Sequence, residues 1–131
     1  MNNVKAPYNI NKLTASAALS LFRDPVSLSI VQQTILSLLS QRTHLSLHLL
    51  SLPFVVSVYP SDANFILFRV TERAYDMYKT LADTKGIICR YRGQELHCTE
   101  CLRVTIGTER ENDEFVRGLV EVAERLGIRK K

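Results

Sequence analysis

The chain has 131 residues, 46% apolar and 23% charged, and a formal net charge of +4. That is the size and balance of one ordinary globular domain, able to bury a core without disulfide or metal staples. It permits acidic partners or substrates but does not argue for nucleic acid, since no dense basic stripe accompanies the mild charge and Arg129, Lys130 and Lys131 read as a solvated tail.

Residues 1–11 form a polar opening, extended around Pro7 and without the apolar core of a secretion signal. Residues 13–22 read as a short Ala-rich helix. Asp24 suits an N-cap and Pro25 a first helical position, so a second, long helix is expected over about 25–51, with Pro53 ending it. Its apolar residues Leu28, Val31, Ile35, Leu38, Leu45, Leu49 and Leu52 recur at steps of three and four, with Arg42 in the one gap. Ile30, Leu36, Leu39, Leu47 and Leu50 widen this stripe into a face expected to lie on the core. The same spacing admits a leucine zipper, although Ser, Thr and Gln flank it where a coiled coil carries Glu and Lys. Polar residues break the run throughout, so no stretch reaches the ~18 apolar residues of a membrane span.

Residues 55–59 are expected as a short β-branched strand, followed by turn chemistry at Pro60-Ser61-Asp62. The almost continuous apolar run 64–70, N-F-I-L-F-R-V, suits a central strand. Thr71 is expected to cap a helix reaching about residue 83, with Ala74, Tyr78 and Leu81 on one face and Gly86 as its stop. Residues 87–91 and 102–106 read as the two strands of a hairpin around a polar loop. Thr108 and Glu111 form a capping box for a last helix, whose buried stripe is Phe115, Leu119, Val122 and Leu126 and whose end is Gly127. The order α, α, β, β, α, β, β, α predicts an α/β protein of the two-layer α+β kind. Helices should cover one face of a small, largely antiparallel sheet.

Alternation in the hairpin sets Leu102, Val104 and Ile106 on one face and Arg103 and Thr105 on the other, with Arg90 on the outward side of its strand. If the strands pair, Arg90 and Arg103 converge near the loop mouth on the face that does not build the core. Two guanidinium groups there make a fork for a carboxylate or phosphate. The pattern alone, before any resemblance is considered, is better described by two surface arginines on a half-exposed sheet.

Other candidate chemistry is thinner. His44 and His48 have the spacing of a two-histidine metal face but no third ligand. Cys98-x-x-Cys101, with His97 adjacent and Cys89 at the strand edge, admits metal, redox chemistry or incidental thiols, though a zinc ribbon would present a second knuckle. Three cysteines, an odd number, fit a reducing, cytoplasmic setting better than a disulfide framework. No Gly-rich phosphate cradle is present. The six lysines (Lys5, Lys12, Lys79, Lys85, Lys130 and Lys131) lie in polar contexts unsuited to Schiff-base chemistry.

The runs A-N-F-I-L-F-R (63–69), G-I-I-C-R (86–90) and C-L-R-V-T-I-G-T joined to E-N (101–112), with K-A-P-Y-N-I (5–10), resemble the C-terminal part of histidinol-phosphate aminotransferases. The resemblance implies a fold-type-I, pyridoxal-phosphate-dependent aminotransferase, a homodimer in the family. Such enzymes exchange an amino group between glutamate and imidazole-acetol phosphate in histidine biosynthesis. By match to the family's strand motifs, Arg90 and Arg103 correspond to the arginines that bind the substrate's phosphate or carboxylate. The family's cofactor lysine, the Asp on its pyridine nitrogen and its cofactor-phosphate ligands have no counterpart here. The chain is therefore expected to be a fragment, silent alone and completed by a missing N-terminal large domain. In that reading 1–22 is a remnant of the large domain, and 23–131 is the small domain with its bridging helix. The rival expectation is a stand-alone module that binds a small ligand or a protein without catalysis. Nucleic-acid binding on the sheet and membrane association are not expected.

Overall fold

A computed structural model describes residues 10–129, so the K-A-P-Y-N segment and the two terminal lysines lie outside the described residues. The elements follow in the expected order. They are α1 (Lys12–Arg23), α2 (Pro25–Ser51), β1 (Val55–Val58), β2 (Phe65–Val70), α3 (Ala74–Thr80) continued by a π-helical turn (Leu81–Lys85), β3 (Arg90–Tyr91), β4 (Cys101–Thr105) and α4 (Glu109–Leu126). The chain divides into two compact units, Met1–Leu36 and Ser37–Lys131, the division falling inside α2.

In the first unit both helix starts are fixed by side-chain caps. Asn11 Oδ1 accepts from the Thr14 amide at 2.8 Å, and the Asp24 carboxylate accepts from the amides of Val26 (3.2 Å) and Ser27 (3.1 Å). These contacts satisfy amides that a helix start leaves unpaired. The expected apolar stripe of α2 is present but largely uncovered: Ile30, Val31, Ile35 and Leu36 are exposed, and only Leu45 and Leu49 are fully buried. The correction has a physical reason: periodicity marks an apolar face on a helix but does not supply a layer to cover it.

In the second unit the sheet has the order β1-β2-β4-β3, and every neighbouring pair is antiparallel. Alternation on the two central strands puts Ile66, Phe68, Val70, Leu102 and Val104 inward, none more than 5% exposed. Against them pack Met77 and Leu81, and Phe115, Leu119 and Val122 of α4, with Phe68 and Phe115 edge to face at 6.2 Å. The α4 capping box is formed: Thr108 Oγ1 accepts from the Glu111 amide, and the Glu111 carboxylate accepts from the Thr108 amide at 2.8 Å. Asn112, the one buried polar residue among the described residues, is satisfied. It donates to Gln41 Oε1 (3.0 Å) and Gly107 O (3.2 Å) and accepts from Gly107 N (3.0 Å).

Three local expectations are corrected. Thr71 does not cap α3; its hydroxyl donates to Arg129 O at 2.9 Å. The N-cap position is Arg73, left-handed at φ 59°, and the Ala74 amide is taken by Glu100 Oε2 at 2.6 Å, a cap supplied from the β3–β4 connection. The strand expected at 87–91 shrinks to Arg90–Tyr91, because the Ile87 amide is committed to Leu81 O at the end of the π-helical turn (3.2 Å). Arg129 is tethered rather than free in a tail, since its guanidinium reaches Glu72 at 2.9 and 3.0 Å.

Candidate functional site

The β3–β4 register sets Arg90 opposite Arg103 and Tyr91 opposite Leu102. Residues facing each other in an antiparallel ladder share a face, so both arginines stand on the side turned away from Leu102 and Val104. Arg90 is exposed and Arg103 half-buried. Among the described residues neither has an ion pair. The arginines that do are Arg73, Arg92, Arg110 and Arg129, held by Asp76, Glu95, Glu114 and Glu72. Two uncompensated guanidinium groups on one sheet face suit an anion with several oxygens, to which each can donate paired N–H bonds.

A residue not anticipated from the sequence orients one of them. The Arg103 guanidinium carbon sits 4.8 Å from the Phe65 ring centroid. Stacking of this kind holds the guanidinium plane while leaving its N–H edge free. The signal was available in the alternation of β2. Leu67 pairs with Arg103, so Phe65 and Arg69 share the Arg103 face. Arg90 also borders an open cleft of about 440 Å³ lined in part by Tyr75, Tyr78, Tyr91, Arg92 and Gln94. Tyr75 and Tyr91 meet edge to face there at 5.4 Å. Arg103 is not among the residues that line this cleft.

The remaining candidates do not join the arginines. His44 and His48 are exposed on α2, and no group of three potential metal-ligating side chains exists among the described residues. All three cysteines are free thiols. Burial pushes the Cys89 thiol up to about 11 and, with Cys98 beside it as the next cause, also raises that of Cys101. Lys12, Lys79 and Lys85 are exposed, Lys85 being paired with Glu121. No helix among the described residues is long and apolar enough to cross a membrane.

Comparison with known proteins adds to this geometry. A model of the family "Aminotransferase class I and II" matches residues 1–119. The chain is 40% identical over 119 residues to a histidinol-phosphate aminotransferase of Parabacteroides distasonis, covering 91% of this chain and 33% of that one. With the corresponding protein of Saccharomyces cerevisiae it is 34% identical over 132 residues, covering 96% and 34%. It thus spans about a third of the length of the curated relatives it matches. In fold it is similar to the crystal structure of the histidinol-phosphate aminotransferase from Clostridium acetobutylicum, with a TM-score of 0.76 at 24% identity, covering 92% of this chain and 36% of that one. A decarboxylase from Sulfurospirillum multivorans gives a TM-score of 0.76 at 25% identity over 88% of this chain and 33% of its own.

Proposed function

This chain belongs to the class I and II aminotransferases, and from that premise we propose that it is the C-terminal part of a histidinol-phosphate aminotransferase that supplies the arginines gripping the substrate's anion. The observation that carries the reading is the in-register pairing of Arg90 with Arg103 on one sheet face, with no carboxylate neutralising either among the described residues. One site must accept the phosphate of imidazole-acetol phosphate and the carboxylate of glutamate in turn. Paired guanidinium groups suit both, because each offers a planar fork of donors rather than a point charge.

Aminotransferases of this family generally depend on pyridoxal phosphate, which supplies the electron sink for moving the amino group. The described lysines do not fit that cofactor. Lys12, Lys79 and Lys85 are all exposed, whereas an amine that condenses with an aldehyde is activated by desolvation or a cationic neighbour. What this chain contributes is binding and orientation: Arg103, braced on Phe65, and Arg90 opposite it fix the anionic end of the substrate. The partner required is the large domain of the same enzyme, in a homodimer. The uncovered apolar residues of α2 support such a partner, since an exposed apolar stripe of that extent marks an association surface.

The test is reconstitution. The chain mixed with pyridoxal phosphate should give no aldimine absorbance and no turnover. Adding the N-terminal two-thirds of a histidinol-phosphate aminotransferase should restore transamination of histidinol phosphate with 2-oxoglutarate. An aldimine on the chain alone, or no activity from the soluble assembled pair, contradicts the reading.

A further inference from the structure

Two of the three cysteines lie in the turn that leads into β4, and the anion site uses neither. The Cys101 amide donates to Cys98 O at 3.0 Å, closing a four-residue turn whose third member, Glu100, is left-handed at φ 56°. A turn closed in this way keeps its end Cα atoms within ~7 Å, and disulfides span Cα separations up to about the same distance. Cys101 Sγ donates to Thr99 O inside the same turn at 3.6 Å, and, after burial, the neighbouring Cys98 is one of the groups that raise its thiol. Cys98 is half-buried and so open to a small reagent, while Cys101 is buried.

The turn is also anchored from outside. Glu100 accepts from the Val70 amide through its backbone oxygen (3.0 Å) and from the Ala74 amide through its carboxylate (2.6 Å). These bonds fix the turn that carries both thiols before any reaction, so that a second sulfur is supplied within the same short segment rather than from solution. A metal is not the occupant favoured here, because the described residues bring no third ligand to the pair.

We propose that Cys98 and Cys101 form a redox-active dithiol that a hydroperoxide closes to an intrachain disulfide. Cys98, as thiolate, attacks the terminal peroxide oxygen. The O–O bond breaks, an alcohol (or water, from hydrogen peroxide) leaves, and Cys98 becomes a sulfenic acid. Cys101 Sγ then attacks Cys98 Sγ, the S–S bond forms, and hydroxide departs with the Cys101 proton as water. Two thiols are oxidised and one peroxide is reduced, with no further reagent required.

The test is mass spectrometry of the reduced chain after stoichiometric hydrogen peroxide and alkylation of the remaining thiols. The expected result is loss of two hydrogen masses confined to the peptide carrying Cys98 and Cys101, with Cys89 alkylated. Cys98→Ser should abolish the bridge, Cys89→Ser should leave it unchanged, and Cys101→Ser should stop at a Cys98 sulfenic acid trapped by dimedone. Closure should be faster in the folded chain than in urea, where the turn is lost. Three alkylatable thiols after treatment, a bridge that includes Cys89, or equal rates folded and unfolded would each overturn the proposal. None of these readouts depends on the anion site, so the two readings fail separately.

Discussion

Arg103 stands opposite Arg90 across the β3–β4 ladder, two like charges on one sheet face. Like charges directly opposite in a sheet are destabilising by a few tenths of a kcal/mol to about 1 kcal/mol. A site kept for an anion should therefore be gained at the expense of the ligand-free fold. Arg90→Gln is expected to raise the denaturation midpoint of the chain slightly while weakening its stabilisation by inorganic phosphate. Thermal unfolding with and without phosphate checks both. A variant less stable than the parent and equally responsive to phosphate contradicts the prediction.

Asn112 is expected to be the costliest polar residue of the core to replace. Its amide holds both the N–H and the C=O of Gly107 and reaches Gln41. Asn112→Leu leaves those half-buried partners unmatched, which costs up to about 1–3 kcal/mol for each group left without water or protein partner. Gln41→Ala, which removes one partner at a less buried site, should cost less. Urea unfolding of the two variants orders them.

Thr108→Ala removes the hydroxyl that receives the Glu111 amide at the start of α4. The loss expected is about 1 kcal/mol, the usual worth of a helix N-cap. Serine at the same position should restore most of it, because the hydroxyl and not the methyl group makes the contact.

The Glu72–Arg129 pair predicts a pH dependence. Hydrogen bonds first from the Arg129 side chain and then from its backbone amide hold the Glu72 carboxyl down to about 2. A depressed carboxylate stabilises the fold above its unfolded value, and the contribution is lost as pH falls through the folded one. Glu72→Gln should therefore be less stable than the parent at neutral pH. The gap should narrow below the ordinary carboxylate range and close near pH 2. A gap independent of pH between those limits contradicts the assignment.

Much of this architecture was legible from local pattern because local chemistry decides it. The continuous apolar run of β2, the alternation in β4, the Thr108–Glu111 box and the Asp24-Pro25 start each depend on residues a few positions apart, and each is present. What was not legible depends on distant partners. The cap of α3 comes from Glu100, 26 residues further on, so Thr71 looked like the better candidate. The stripe on α2 was visible as periodicity, but periodicity marks an apolar face without saying what covers it. The arginine pair followed from alternation once the strands were taken to pair. Phe65 beneath Arg103 required the β2–β4 register, which a single sequence does not fix.

The central claim is that Arg90 and Arg103 hold one anion together. It is tested most directly by a double-substitution cycle in the reconstituted enzyme, reading kcat/KM for histidinol phosphate with Arg90→Gln, Arg103→Gln and both. Each single change should cost about tenfold to a hundredfold, the worth of one charge-assisted contact of about 1.5–3 kcal/mol. The double change should cost less than the product of the two, because residues sharing a partner are coupled. Single variants with parental kcat/KM, or losses that multiply as if independent, would contradict the account.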